Sequence, residues 1–249
     1  MAIMYMRLEG VLQSYADNGN WENRGTAPVP TKSAVMGMIG AAFGYDYGSE
    51  EIERLNNNLK MSVRVNRDFE KICDFQTIRA YRVPDRVGME PPFIHALKDI
   101  RKADGKQSEF KGLKKNEFRY DWVSSDSRLR DKDYLASASF TVFLEGEEVL
   151  LTQICDALLH PVYGLYLGRS NCIPCRPILG YMTSCLSFED AWENSDLDGV
   201  FGHCIVEYDF DGTQTVGVEV LTRQDDVRSG YRYGGRRVIR KEIVTNVFE

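Results

Sequence analysis

Residues 3–9 alternate, with Met4, Met6 and Leu8 on one side and Tyr5, Arg7 and Glu9 on the other. Successive side chains of an extended chain point to opposite faces, so this spacing predicts an opening β-strand. The following GVLQSYADNGNWENRGTAPVP (10–30) is rich in Gly, Asn and Pro and predicts a long loop. PTKSAVMGMIGAAFG (30–44) predicts a helix: Thr31 or Ser33 can cap the free N–H groups, Pro30 blocks upstream extension and Gly44 supplies an ending. MSVRVNRD (61–68) and DFQTIRAYRV (74–83) predict two further strands, linked by a polar stretch around FEKIC. Periodicity lapses over 84–133, which predicts an excursion from the core. It resumes in YLASASFTVFLEG (134–146), where Ala136, Ala138, Phe140, Val142 and Leu144 line one face of an expected strand. EEVLLTQICDALLHP (147–161) then sets Leu150, Ile154, Ala157 and Leu158 at helical spacing and stops at Pro161. HCIVEYDF, TVGVEVLTR and RRVIRKEIVTNVF predict C-terminal strands. This order fits an α+β fold, with helices packed on one face of a mostly antiparallel sheet.

With 249 residues, 43% of them hydrophobic, the chain can bury one substantial core plus an inserted or appended subdomain. Its N-terminus has no basic-then-apolar signal pattern, and no apolar run approaches the roughly 20 residues of a membrane helix. A soluble cytoplasmic protein is the expectation. The six cysteines (73, 155, 172, 175, 185, 204) are scattered through a chain too large to need stapling, so reduced thiols are expected.

The net charge of −6 argues, taken whole, against a nucleic-acid partner, but its distribution changes the picture. Residues 98–119 carry eight Lys/Arg against four acids, and residues 223–241 carry seven against two. The rest of the chain is therefore strongly acidic. Such segregation suits a protein that meets a polyanion on one face and protein or solvent elsewhere; a solvated surface is the plain alternative.

Candidate chemistry is sparse. A helix N-terminus carries partial positive charge and free donors, so Lys32 and Ser33 could complete an anion site. A P-loop is excluded, because Thr31 stands where that motif needs glycine before the lysine. The three histidines, His95, His160 and His203, lack metal spacing, and no local trio stands out for metal-independent RNA cleavage. His160 beside Pro161 reads as a helix cap or core residue. CIPC (172–175) is half a zinc site with no second half in the sequence, so incidental thiols are expected and no cofactor is assigned. YGLYLGRSNCIPCRPILG (163–180) is more informative: glycine lets a backbone approach closely, and Arg169 can hold phosphate in two-pronged fashion. Together with the Lys32 helix start, the basic excursion and the aromatic-basic RSGYRYGGRR, it points to single-stranded RNA, whose splayed bases stack on tyrosine and guanidinium planes.

MRLEGVLQSYA, PTKSAVMGMIGAAFG, SVRVNRD with DFQT, YLASASFTVFLEG and LYLGRSNCIPCRPI occur here in one order. In that order they resemble the CasD subunits of type I-E CRISPR Cascade complexes, within the RAMP superfamily. The resemblance implies a single ferredoxin-like, RRM-related domain over 1–249, with a thumb inserted at 84–133 and a β-rich C-terminal extension at 178–249. It implies a non-catalytic subunit that grips the 5′ handle of the crRNA and caps the filament of backbone subunits. The large subunit and target DNA would lie nearby. On the matched motifs, Lys32, Ser33 and Arg169 are the leading expected RNA contacts, followed by Gln13, Arg24, Gln76 and Arg79, with Lys111, Lys114 and Lys115 on the thumb. Tyr15, Ser137 and Ser170 depart from the family pattern, which has Trp, an acid and a basic residue there. The contrasting expectation is a metal-independent endoribonuclease that processes precursor crRNA, as in the related subtype I-C protein.

Overall fold

The computed structural model describes residues 1–16, 23–79, 127–200, 202–210, 212, 218–228 and 232–245. The chain forms two compact units, Met1–Phe75 with Asp131–Glu249, and Gln76–Arg130. In chain order the strands are β1 (Ala2–Glu9), β2 (Leu12–Gln13), β3 (Asn23–Arg24), β4 (Lys60–Val65), β5 (Glu70–Arg79), β6 (Ser127–Ala136), β7 (Ser139–Gly146), β8 (Gly180–Thr183), β9 (His203–Asp209), β10 (Glu219–Arg228) and β11 (Arg232–Val244). The helices among the described residues are α1 (Lys32–Phe43), α2 (Glu50–Asn58), α3 (Glu148–Leu159) and α4 (Phe188–Asn194).

A seven-stranded sheet runs β10-β11-β9-β4-β7-β1-β8, with antiparallel neighbours throughout. A smaller sheet joins β2, β6 and β3, and β5 also pairs with β6. β1 lies between β7 and β8, with Met6 opposite Val142 on one side and Gly180 on the other. The expected alternation of β1 is present, yet both of its sides are covered. Met4, Met6 and Leu8 join a core with α1, α2 and α3, while Ile3 packs with Phe143, Phe188, Ala191, Trp192 and Val206 in a second core. Adjacent residues of a strand face opposite ways, so α4 covers the side opposite α1 and α3. This corrects the expectation of helices on one face only. The physical reason is that Ile3, Phe143 and Val206 present a second apolar surface, which Trp192, 1% exposed, closes while its indole N–H donates to Ser62 Oγ at 2.8 Å.

Three further differences have local causes. The stretch 134–146 is two strands, because Ser137 takes a left-handed φ of 56° and turns β6 into β7. Residues 70–73, expected as a link, already belong to β5. Residues 84–126 of the expected thumb lie outside the described residues, and its last positions, 127–133, are part of strand β6. The C-terminal strands β9 and β11 extend the same sheet as β4. No described helix is long and apolar enough to cross a membrane.

Candidate nucleic-acid interface

The start of α1 is built as expected. Thr31 is the N-cap and accepts the Ala34 N–H at 3.4 Å, and Gly44 ends the helix at a φ of 80°. It also binds an anion, but one supplied from 193 residues downstream: the Lys32 N–H donates to Asp225 Oδ2 at 2.8 Å. Arg236 grips the same carboxylate through Nε at 3.0 Å and Nη2 at 2.8 Å, and also donates to Asp209. Asp209 accepts the Met61 N–H at 2.9 Å and lies 3.7 Å from Lys32 Nζ. Lys32 is only 6% exposed, and burial pushes its ammonium below the usual lysine range despite Asp209. Lys32 is thus part of a core ion-pair network, in which the protein's own carboxylates lie against the helix start. Ser33 is half-buried, with Oγ 3.3 Å from that of Thr31.

Part of the second basic cluster is paired in the same manner. Arg223 clasps Glu207 at 3.0 and 2.6 Å, Arg228 meets Asp226 at 2.6 Å, and Lys241 lies over the rings of Trp192 and Tyr208. Part of its local excess of charge is matched by Glu207, Asp209 and Glu189 from outside the cluster, a pairing that a count along the chain does not reveal.

Gln13 is also held inside the fold. It is fully buried, donates to the Ala138 carbonyl at 2.7 Å and accepts the Tyr15 hydroxyl at 2.6 Å, so its amide is consumed in joining β2 to the β6–β7 turn.

Arg169 fares differently. It follows Gly168, whose φ is +92° and whose place permits no Cβ, since one would stand 1.8 Å from the Ser14 carbonyl oxygen. The glycine therefore serves close approach to the protein's own strand. The turn is tied by Ser14 N–H to the Leu167 carbonyl at 3.1 Å and Cys172 N–H to the Arg169 carbonyl at 2.9 Å. Arg169 leaves it half-buried, with Nη2 donating to the Arg24 carbonyl at 2.8 Å and its guanidinium 4.9 Å above the Tyr134 ring. Asn171 steadies that ring by donating to the Tyr134 hydroxyl at 3.0 Å. Nη1 of Arg169 has no hydrogen-bond partner among the described residues. Arg24 lies on β3, in register with Lys132 on β6, so the small sheet gathers Arg24, Lys132 and Arg169. Lys132 escaped the sequence reading because residues up to 133 read as an excursion, and Tyr134 was read only as the start of a strand; the available signal was the continuation of β6 upstream.

The remaining expected contacts fall elsewhere in the chain. Gln76 is a half-buried residue of β5 and belongs to the second unit. Arg79 ends β5 and its side chain lies outside what is described, as do Lys111, Lys114 and Lys115 altogether. Of the histidines, His160 is the exposed C-cap of α3, His203 lies 3.3 Å from Glu242 and His95 lies outside the described residues. Cys172 is buried, where desolvation raises its thiol pKa, and Cys175 is exposed. Among the described residues, no group of three His, Cys, Asp or Glu side chains is arranged to hold a metal.

The chain thus joins a mixed α/β fold with an antiparallel sheet to a small patch of Arg24, Lys132 and Arg169 beside Tyr134. Residues 3–239 match the model of the family described as CRISPR-associated protein (Cas_Cas5), and the chain belongs to that family. It is 26% identical over 179 residues to the CRISPR system Cascade subunit CasD of Escherichia coli (strain K12), covering 70% of this chain and 68% of that one. Its fold resembles a chain solved in a "CRISPR RNA-guided surveillance complex", with a TM-score of 0.64, 24% identity and coverage of 98% of this chain and 91% of the other. It also resembles a structure described as "Crystal structure of Cas protein", with a TM-score of 0.56, 22% identity and coverage of 97% and 94%.

Proposed function

We propose that this protein is a non-catalytic RNA-binding subunit of a type I-E Cascade surveillance complex, holding the 5′ handle of the crRNA on the patch of Arg24, Lys132 and Arg169. The observation that carries the reading is the setting of Arg169, a half-buried side chain whose guanidinium is aimed by the Arg24 carbonyl and the Tyr134 ring. An arginine held this way loses little further rotamer entropy on binding phosphate. Membership of the Cas5 family and the likeness to CasD support the assignment. The succession β1-α1-β4-β7-α3-β8, with sheet order β4-β7-β1-β8, supports a ferredoxin-like core related to RNA-binding domains.

In this reading Ser33, Gln76 and Arg79 are secondary contacts, and Lys111, Lys114 and Lys115 of the inserted unit add phosphate charge. Backbone subunits, the large subunit and target DNA are the neighbours within the assembly. The protein works in the cytoplasm.

The test is binding and integrity of a labelled cognate CRISPR repeat RNA with the purified protein, at two salt concentrations, with and without EDTA. Intact RNA, bound more tightly at low salt, is the expected result. Arg169→Ala and Arg24→Ala should each cost about 1–3 kcal/mol, the range of a charge-assisted hydrogen bond, while Lys32→Met should leave the salt slope unchanged. Site-specific cleavage that survives EDTA would replace this reading with a processing endoribonuclease.

A further inference from the structure

Away from the Arg169 patch, three guanidinium groups converge on one carboxylate. Glu9, at the end of β1, faces Arg7 Nε at 3.4 Å, Arg67 Nη2 at 2.9 Å and Arg176 Nη2 at 3.2 Å. Arg7 is buried and turns its Nη1 to Asp196 at 3.1 Å, whose other oxygen accepts the Thr141 hydroxyl at 2.6 Å. Arg67 and Arg176 are different: their side chains are 41% and 47% exposed. Arg67 is held in place by donating through Nε to the Ser137 carbonyl at 2.9 Å. Beside Glu9, Arg176 meets Asp198 at 3.4 Å, itself 74% exposed and so a weak, solvent-screened partner. Three carboxylates, Glu9, Asp196 and Asp198, thus serve these three cations, and both outer guanidinium groups keep exposed surface.

The place of this cluster matters. The Cys175 N–H donates to the Glu9 carbonyl at 2.8 Å, and Gly10 lies under the same loop, where a Cβ would meet Leu167 at 2.6 Å and the Ile173 carbonyl at 3.0 Å. Arg169, at the middle, and Arg176, toward the C-terminal end, thus stand on one loop that is clamped onto the end of β1. We infer that Arg67 and Arg176 form a second phosphate-binding subsite, engaged by the same RNA strand that meets Arg169. Glu9 serves as the resident anion that keeps both guanidinium groups aligned before the phosphate arrives. This inference rests on the RNA-binding reading above.

The test is a salt titration of labelled single-stranded CRISPR repeat RNA against the full-length chain and its variants. Each phosphate of a single strand that a cation neutralises adds about 0.7 to the steepness of log K against log salt, so Arg67→Gln/Arg176→Gln should make the slope shallower by about 1.4. Glu9→Gln, which removes the competing charge, should tighten binding at low salt about threefold. Arg176→Gln alone should make the slope shallower by about 0.7 with little change in the melting temperature, because its pairs with Glu9 and Asp198 are exposed and solvent-screened. Variants that keep the wild-type slope and affinity, while Arg169→Ala binds weakly, overturn this subsite and leave the first intact. Weaker binding with an unchanged slope also overturns it, since that marks a structural effect. Unchanged RNA binding with loss of a companion subunit from the purified complex overturns it in favour of a protein interface. No salt-dependent binding by the wild-type chain overturns both readings.

Discussion

Arg236→Met provides the sharpest test of how the C-terminal strands are joined to the core. In the native protein its guanidinium holds Asp225 with two bonds and Asp209 with a third, and the side chains of Arg236 and Asp225 are only 9% and 4% exposed. Methionine retains most of the apolar stem but removes every donor. Asp225 is then left charged and buried against the N–H of Lys32, and Asp209 keeps the Met61 N–H and the Lys32 ammonium. Removing one partner of a buried pair costs about 3–5 kcal/mol, because the remaining charge loses both solvent and counterion. Against a typical net stability of about 5–15 kcal/mol that is a large fraction. With a urea m-value of about 2 kcal/mol/M, the midpoint should fall by about 1.5–2.5 M in a denaturation curve followed by far-ultraviolet circular dichroism. The double variant Arg236→Met/Asp225→Leu should recover part of the loss, since it no longer buries an unpaired charge. A single variant whose midpoint lies within about 0.3 M of wild type would refute the claim that this ion pair is buried and taut.

Gly168→Ala should displace the Arg169 turn, since its Cβ would collide with the Ser14 carbonyl at 1.8 Å; both a lower melting temperature and weaker RNA binding are expected, and wild-type values for both would contradict the geometry. The Tyr233 phenol is pushed up to about 12, first by burial and then by its hydrogen bond with Tyr47. Its folded pKa lies above the unfolded value near 10, so the stability it contributes is complete below pH 10 and is lost as pH rises through 12. Tyr47→Phe should bring the titration of Tyr233 down, read from tyrosinate absorbance, and an unmoved titration would leave burial as the whole cause.

Local order was legible where its cause is local. The alternation of 3–9, the cap and stop of 31–44 and the helical spacing at 147–161 are dictated by side-chain direction and by backbone groups within a few residues, and β1, α1 and α3 follow them closely. Where a single left-handed residue decides the chain's course, the pattern misleads: Ala136 and Ala138 keep their alternation across the Ser137 turn, so two strands read as one. The short α4 was not visible either, because burial of Trp192 against Phe143 and Val206 stabilises it from across the sheet.

For the candidate site, the residue types that bind anions could be named from the sequence, and Arg169 and Arg24 do come together. Which cations remain available was a tertiary matter. Lys32 and Arg169 both follow turn-forming residues and both looked fit for phosphate, yet one meets Asp209 and Asp225 in the core while the other keeps a nitrogen beside Tyr134 without a partner among the described residues. Propensity, periodicity and capping act within a few residues, so the sequence alone determined β1, α1, α3 and the capped helix start, while β2, β3, β8 and α2 went unread. Coulombic pairing acts through space between residues nearly 200 positions apart, and only the folded sheet, by bringing β9, β10 and β11 against α1, decided that this helix start would hold the protein's own carboxylate.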